Sequence, residues 1–283
     1  MTKVLVLGGA GMAGHVVSLY LRERGFDVDT LSARSKLDKN TMPVDVTDKS
    51  KLESTLKARP YDIVINCIGA LIQQSEERKD LASYLNGYLP HFLEYYYKDS
   101  KTRVIHLSTD CVFSGKNAPY KENSPFDGDT FYDRSKALGE IVNDKDLTFR
   151  MSIIGPDLTE KGVGLFNWFM KQQNEIGGYT RAIWNGITTI ELAKGIEAAI
   201  NQNLTGLYHL VPPTNISKFH LLEIFNEVMQ KNLTIVPNPA VSLDKTLINT
   251  RTDFNYEVPS YEIMIPEMKE WIENHKDLYE HYR

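Results

Sequence analysis

Cysteine is scarce in this sequence, and the histidines show no metal-ligand spacing. Only Cys67 and Cys111 occur among 283 residues, without C-x-x-C spacing, and the seven histidines form no H-x-x-x-H pattern. We therefore expect two buried, reduced thiols and no metal site. The apolar run after Met1 is too short for a signal peptide or a membrane span. This predicts a cytoplasmic protein with no membrane partner.

Neither sign of charge dominates the chain. The net charge is −5, acidic and basic residues are interleaved, and 42% of the residues are hydrophobic. Because binding to nucleic acid needs a concentrated cationic face, we expect no nucleic-acid partner. A chain of this length suits one large domain, or a nucleotide-binding domain with a smaller companion.

Strand-like and helix-like segments alternate over the first 150 residues, which predicts a parallel sheet covered by helices on both faces. The predicted strands are Lys3–Leu7, Asp27–Leu31, Ile63–Cys67, Arg103–Ser108 and Leu147–Met151.

The amino-acid composition changes after Met151, where glycine, aromatic and polar residues dominate as far as Gly186. We then expect a helix over Ile190–Ile200, a strand over Gly206–Val211, a helix capped by Ser217 and an amphipathic stretch over Tyr261–His275. Residues 1–155 with about 186–211 would form the nucleotide-binding domain. Residues 156–185 with 212–283 would form a smaller, discontinuous α/β lobe for the substrate.

A glycine-rich turn follows the first strand. Gly8, Gly11 and Gly14 give the spacing G-x-x-G-x-x-G, with Met12 opening a helix. Such a turn lets backbone N–H groups approach a pyrophosphate and lets helix and strand pack closely. The pattern predicts a Rossmann-type, doubly wound α/β fold that binds a dinucleotide.

The end of the second strand favours one nicotinamide cofactor. Ser32 stands where NAD enzymes usually place a carboxylate, and Arg34, Ser35 and Lys36 follow. A hydroxyl and two cations suit a 2′-phosphate, so we predict NADP(H), with NAD(H) less favoured.

Tyr132 and Lys136 form a Y-x-x-x-K pair on one face of a predicted helix. A neighbouring ammonium is expected to lower the pKa of the phenol, and Tyr132 would give its proton to a carbonyl oxygen. Thr109 follows Ser108 at the end of a parallel strand, where ligands bind in such sheets, and would hydrogen-bond the same oxygen. These residues predict carbonyl reduction by hydride transfer.

Several longer motifs bear a resemblance to one family. The run 108–115, S-T-D-C-V-F-S-G, and the run 132–140, Y-D-R-S-K-A-L-G-E, resemble stretches of dTDP-4-dehydrorhamnose reductases, which are extended short-chain dehydrogenases. The resemblance implies a nucleotide-sugar substrate with a 4-keto-6-deoxy sugar and a Thr109–Tyr132–Lys136 catalytic set. It also implies cofactor contacts from Asp45, Val46, Cys67, Ile68, Gly69, Asn86, Ser108, Tyr132 and Lys136, and substrate contacts from Asp110, Val112 and Phe113.

Departures from the family pattern fall on the substrate side. Cys111 replaces a tyrosine, and the expected R-P segment near the C-terminus is missing. UDP-linked N-acetylhexosamine derivatives therefore compete with dTDP-4-dehydrorhamnose as substrate. Tyr179 and Arg181 are candidates for stacking and for binding the diphosphate.

Three other functions stay open or are disfavoured. A 4,6-dehydratase would need a glutamate where Cys111 stands, and an epimerase commonly keeps NAD bound. A non-catalytic regulatory subunit that binds NADP would not need Thr109, Tyr132 and Lys136 together. The aromatic run Tyr95–Tyr97 leaves a homodimer open.

Overall fold

The computed structural model describes residues 1–282. Its strands are β1 Lys3–Leu7, β2 Asp27–Ser32, β3 Thr41–Pro43, β4 Ile63–Asn66, β5 Arg103–Thr109, β6 Leu147–Met151, β7 Ile153–Ile154, β8 Glu175–Trp184, β9 Ile187–Thr188, β10 Gly206–His209, β11 Ile216–Ser217 and β12 Thr234–Asp244. Its α-helices are α1 Met12–Glu23, α2 Lys49–Ala58, α3 Ile72–Glu77, α4 Lys79–Ala82, α5 Leu89–Tyr96, α6 Phe131–Leu138, α7 Leu165–Met170, α8 Thr189–Asn201, α9 Lys218–Met229 and α10 Tyr261–Asn274.

The main sheet has seven strands in the order β10-β6-β5-β4-β1-β2-β3, and all its pairs are parallel. Strands β1 to β6 thus follow the doubly wound order, which reverses direction between β1 and β4. Ligands of such sheets bind at the carboxyl ends of the strands beside that reversal. The predicted fold class is confirmed, and the five predicted N-terminal strands match within one residue.

Apolar residues of the strands explain why the main sheet lies at the centre. Val4, Leu5, Val6 and Leu7 of β1 have no exposed surface, so the strand is covered on both faces. One apolar cluster contains Val4 and Val6 and continues through Phe149 into the C-terminal part of the chain. A second cluster contains Leu5 and Leu7 and packs the opposite face. Alternate residues of one strand therefore enter different cores.

Helix caps follow the sequence signals. The hydroxyl of Ser217 accepts a hydrogen bond from the backbone N–H of His220 at 3.1 Å, so the predicted cap of α9 is confirmed. Helix α6 begins with a reciprocal capping box between Thr130 and Asp133. This box fixes the start of the helix that carries Tyr132, and so it sets where that side chain enters the site.

A second sheet was not predicted from the sequence. It has the order β11-β8-β12, with β8 antiparallel to β11 and parallel to β12. Glycine and proline interrupt the strand pattern, as in Gly177-Gly178 of β8. A Cβ at Gly178 would lie 2.8 Å from a side-chain carbon of Phe219, so glycine allows α9 to pack on β8. Over residues 1–282, no helix is both long enough and apolar enough to cross a bilayer.

Candidate functional site

The glycine-rich turn joins β1 to α1 in the geometry that a phosphate site requires. Gly8 has φ +79°, and its N–H and that of Gly9 both donate to the carbonyl of Leu31 on β2. A Cβ at Gly14 would lie 2.1 Å from the carbonyl oxygen of Gly8, so only glycine lets helix and strand approach so closely. Among residues 1–282, no side chain caps the first turn of α1 at Gly11. The helix N-terminus can therefore accept an anion.

A buried histidine supports this turn, although no sequence pattern singles it out. The two ring nitrogens of His15 lie 2.8 Å from the carbonyl oxygen of Gly11 and 2.7 Å from the hydroxyl of Tyr279. Burial lowers the pKa of His15 to about 4, so the ring is neutral near pH 7. Tyr279, near the C-terminus, thus stabilises the glycine-rich turn, although it is 264 positions from His15 in the sequence.

The strand ends bring three of the predicted cofactor segments together. Leu31 pairs with Leu7, and Leu7 also pairs with Asn66, so the segments that begin at Gly8, Ser32 and Cys67 leave adjacent strands on the same edge. Ser32 is the last residue of β2 and is half-buried.

The remaining predicted cofactor residues on this edge differ in exposure. Arg34 is exposed in the bend after β2, and Asp45 is exposed with its carboxylate held by Thr47 at 2.9 Å. Val46 is buried, and its carbonyl accepts a hydrogen bond from Tyr84 at 2.8 Å. Met12, Ile68 and Gly69 retain some exposure on the turn and on the loop after β4.

Thr109 and Tyr132 meet at the carboxyl end of β5. The Thr109 hydroxyl accepts from the N–H of Cys111 and donates to the Asp110 carboxylate, both at 3.1 Å. Burial, then the neighbouring Cys111, raises the pKa of Tyr132, and the Thr109 side chain opposes that rise. Tyr132 therefore keeps its proton at neutral pH, the form that a proton donor requires.

The pKa of Tyr132 does not shift in the direction predicted from the sequence. The Lys136 ammonium donates to the carbonyl of Leu107 at 2.6 Å, and burial lowers its own pKa to about 8. Removal from water is the largest cause of the raised pKa of Tyr132. The predicted lowering of the phenol pKa is wrong for this structure, because removal from water outweighs the expected charge effect.

His106 and Asn66 support Lys136, and a role for His106 was not predicted from the sequence. His106 Nε2 lies 3.5 Å from Lys136 Nζ, and His106 Nδ1 lies 3.2 Å from the amide nitrogen of Asn66. The amide oxygen of Asn66 accepts from the N–H of Ile68 at 3.1 Å, which orients its NH₂ group towards the ring. Burial lowers the pKa of His106 well below its usual range, so the ring is neutral. These contacts connect the loop after β4 to the lysine.

Asn86 connects the same loop to helix α6, which carries Tyr132 and Lys136. It lies in a single π-helical turn, Ser83–Tyr88, and is fully buried. Its amide oxygen accepts from the N–H of Ala70 at 2.8 Å, and its NH₂ donates to Ala70 O at 3.1 Å and to Ser135 Oγ at 3.0 Å. The side chain is thus engaged within the protein, and any influence on a cofactor would pass through the loop it positions.

A buried ion pair lies directly behind the site. Arg150 and Glu140 form two hydrogen bonds, at 2.9 and 2.5 Å, and Glu140 also accepts from the hydroxyl of Ser108 at 2.6 Å. Arg150 donates to His209 at 2.8 Å. Ser108 was predicted as a cofactor contact. Its hydroxyl donates to Glu140, and so it joins β5 to a hydrogen-bond network that includes Arg150 of β6 and His209 of β10.

The predicted substrate residues fall into two groups. Asp110 is half-buried beside Thr109, and burial raises its pKa. Val112 and Phe113 have no exposed surface, because they pack with Tyr120, whose ring stacks on Phe113 at a centroid distance of 4.1 Å. Their side chains serve as a small core, so any contact with a substrate would come from their backbone.

Tyr179 and Arg181 lie on the exposed face of β8, and Tyr179 is 41% exposed. The strand ends at Trp184, which is buried. At roughly 3.3 Å per residue, Arg181 lies about 10 Å and Tyr179 about 17 Å from Trp184 along β8, towards the N-terminal end of the strand. Within residues 1–282, no hydrogen bond or ion pair joins Tyr179 or Arg181 to Thr109 or Tyr132.

Comparison with known proteins places this arrangement in a family. Residues 1–245 match the family model described as RmlD substrate binding domain. Among curated proteins, the spore coat polysaccharide biosynthesis protein SpsK of Bacillus subtilis is 33% identical over 146 residues, which are 50% of this chain and 47% of that protein. A dTDP-4-dehydrorhamnose reductase of Streptomyces griseus is 31% identical over 138 residues, 48% of this chain and 43% of that protein. The matched regions thus span about half the length of these relatives.

A solved structure has the same fold. The dTDP-4-dehydrorhamnose reductase of Bacillus anthracis, in complex with NADP, aligns with a TM-score of 0.79 at 20% identity and covers 96% of this chain and 99% of that one. The resemblance predicted from the catalytic motifs is confirmed by the family match, which covers most of the sequence. This chain belongs to the RmlD substrate binding domain family.

Proposed function

We propose that this protein is an NADPH-dependent reductase of the 4-keto group of a nucleotide-linked 4-keto-6-deoxy sugar. The sugar would be a UDP-N-acetylhexosamine derivative or dTDP-4-dehydrorhamnose, reduced to supply precursors of cell-surface polysaccharide. The observation that carries the proposal is a protonated Tyr132 beside Thr109, with Lys136 one helical turn away and the glycine-rich turn on the same sheet edge. The names of the curated relatives and the NADP of the Bacillus anthracis structure support it.

The residues that would hold the cofactor fit a dinucleotide. The turn at Gly8 leaves no space for a Cβ at Gly14, and the uncapped start of α1 suits a pyrophosphate. Ser32 and exposed Arg34 would meet the 2′-phosphate, with no carboxylate in the intervening position. When bound, NADPH supplies the hydride that reduces the carbonyl carbon.

The protein's own part in the reaction is to hold and protonate the carbonyl oxygen. Thr109 would orient that oxygen by a hydrogen bond, and Tyr132 would transfer its phenolic proton to it as the alcohol forms. The hydride and the proton together account for the two hydrogens added. Lys136, with a pKa lowered to about 8, can give a proton back towards Tyr132 near neutral pH.

The decisive assay generates the unstable keto sugar enzymatically in the reaction mixture. UDP-N-acetylglucosamine and dTDP-glucose are each treated with a matching 4,6-dehydratase, and part of the dTDP product is also treated with a 3,5-epimerase to give dTDP-4-dehydrorhamnose. Loss of NADPH absorbance is then followed after addition of this protein. We expect oxidation with one of these products and none with the untreated sugars. Tight NADPH binding without turnover on any product would refute the proposal and favour a regulatory NADP-binding subunit.

A further inference from the structure

A series of hydrogen bonds joins the C-terminal part of the protein to the glycine-rich turn. The indole N–H of Trp271, on α10, donates to the hydroxyl oxygen of Tyr279 at 3.1 Å. That hydroxyl lies 2.7 Å from Nε2 of His15, and Nδ1 of His15 lies 2.8 Å from the carbonyl oxygen of Gly11. Trp271, Tyr279 and His15 are all buried, so water does not compete for these bonds.

The direction of each bond in this series follows from the groups at its two ends. An indole N–H can only donate, and a backbone carbonyl can only accept. Nδ1 of His15 therefore carries the proton that is donated to Gly11, and Nε2 of the neutral ring accepts from the hydroxyl of Tyr279. Tyr279 thus selects the tautomer of His15 whose donor faces the glycine-rich turn.

The carbonyl that His15 holds belongs to the peptide unit between Gly11 and Met12. It also accepts from the backbone N–H of His15 at 3.0 Å, so two hydrogen bonds fix its direction. In a trans peptide the N–H points opposite to the carbonyl, so the N–H of Met12 points away from the helix. Met12 is the first residue of α1, where N–H groups have no acceptor within the helix. This N–H is therefore oriented towards an anion bound in front of α1.

The segment that carries Tyr279, residues 276–282, is also anchored at its other end. The hydroxyl of Tyr282 accepts from the backbone N–H of Asp157 at 2.8 Å and donates to the side-chain oxygen of Asn167. Asn167 is itself buried. Because a positioning group must be held by its own neighbours, these contacts allow the Tyr279 hydroxyl to act as a fixed support for the ring of His15.

We propose that His15 is a positioning residue for the pyrophosphate of the nicotinamide cofactor, and that Tyr279 sets the affinity for that cofactor through His15. The proposal rests on the NADP(H) binding of the proposed function. It adds two residues that lie outside the glycine-rich motif and that no sequence pattern indicated. Neither side chain has to contact the cofactor, because both act through the peptide between Gly11 and Met12.

Cofactor binding is measured by calorimetry, without any sugar nucleotide. His15→Asn keeps an N–H donor near the place of Nδ1, whereas His15→Gln keeps an acceptor near the place of Nε2 and loses that donor. We expect His15→Gln to weaken NADP⁺ binding roughly 10-fold or more and His15→Asn to keep most of the affinity. Tyr279→Phe should weaken it roughly 3–10-fold, because the ring can then adopt the other tautomer. Tyr95→Phe, which removes an exposed hydroxyl on α5, is the matched control.

A shorter ligand separates an effect on the turn from a general weakening of the fold. Adenosine 2′-monophosphate carries the phosphate that is proposed to meet Ser32 and Arg34, but it has no pyrophosphate. We expect its affinity to be the same in every variant, while that for NADP⁺ falls. An equal loss for both ligands, or an equal loss of NADP⁺ affinity in Tyr95→Phe, would overturn the proposal.

Unchanged NADP⁺ affinity in a folded His15→Gln protein would overturn it as well, and so would an equal loss in His15→Asn and His15→Gln. Thermal unfolding establishes which variants are folded. If Tyr279→Phe does not fold, the two substitutions at His15 still decide the proposal, because they differ only in which hydrogen bond they keep.

The proposal and the proposed function can fail separately. If the unmodified protein binds NADP⁺ but reduces no keto sugar, the reductase assignment fails and the affinities still decide the role of His15. If a keto sugar is reduced, KM for NADPH should rise in His15→Gln, while kcat and KM for the sugar nucleotide should change little. If the protein binds NAD⁺ instead, NAD⁺ and adenosine replace the two ligands. Absence of binding of either dinucleotide to the unmodified protein would overturn both.

Discussion

Tyr132→Phe removes the proposed proton donor and leaves the ring in place. Tyr132 keeps its proton because burial raises its pKa, and Thr109, the neighbouring hydroxyl, can orient the carbonyl oxygen without being an effective acid. Loss of a general acid usually slows a reaction by roughly 10²–10⁴-fold, equivalent to about 3–5 kcal/mol in the barrier. We expect kcat to fall within that range. KM for NADPH should change little, because the hydroxyl belongs to the reacting end of the site.

The assay is steady-state NADPH oxidation on whichever dehydratase product is active. Tyr95→Phe is the control, since Tyr95 is 68% exposed on α5. Thermal unfolding should show a shift of only a few degrees, because one hydrogen bond contributes about 1 kcal/mol. Unchanged kcat in a folded Tyr132→Phe protein would refute the assignment of Tyr132. An equal drop in Tyr95→Phe would show that the effect is unspecific.

Three further predictions concern cofactor choice, stability and acid sensitivity. Ser32→Asp places a carboxylate against the proposed 2′-phosphate, so kcat/KM should fall at least about 10-fold for NADPH and rise for NADH; an unchanged ratio in parallel assays would contradict the cofactor assignment. Arg150→Met leaves Glu140 buried without its cation and should lower the free energy of unfolding by about 3–5 kcal/mol in a denaturant titration, whereas a loss below 1 kcal/mol would show that the pair matters little. Burial lowers the pKa of His15 and that of His209 to about 4 in the folded protein. Each imidazole has a pKa of about 6.5 in the unfolded chain, so below that pH the unfolded chain binds more protons than the folded one. Stability should therefore fall as pH drops from about 6.5 towards 4, and a flat profile of unfolding free energy against pH would contradict this.

Local signals in the sequence were sufficient for several elements of the fold. The apolar run of β1, the glycine turn and the cap at Ser217 each act over a few residues, and all three are found in the structure. Strand β8 alternates regularly between exposed and buried residues, but the adjacent glycines Gly177 and Gly178 interrupt its apolar pattern in the sequence. Its pairing with β12 joins segments far apart in sequence, which no local pattern indicates.

The pKa values of the site residues depend on burial, which cannot be read from local sequence patterns. The Y-x-x-x-K spacing correctly places Tyr132 and Lys136 on α6, yet the pKa of the phenol rises, chiefly because the side chain is removed from water. The hydrogen bond between His15 and Tyr279, which supports the glycine-rich turn, joins positions 264 apart. Contacts between such distant positions have no local pattern.

Transfer of deuterium from labelled NADPH tests the central claim most directly. NADPH carrying deuterium on its reactive face is incubated with the protein and the active dehydratase product, and the reduced sugar nucleotide is analysed by mass spectrometry and NMR. The account predicts deuterium bound to C4 of the sugar, with loss of that label in Tyr132→Phe in proportion to the loss of rate. Deuterium at another carbon, or NADPH that stays bound and fully labelled with every keto sugar, would contradict it.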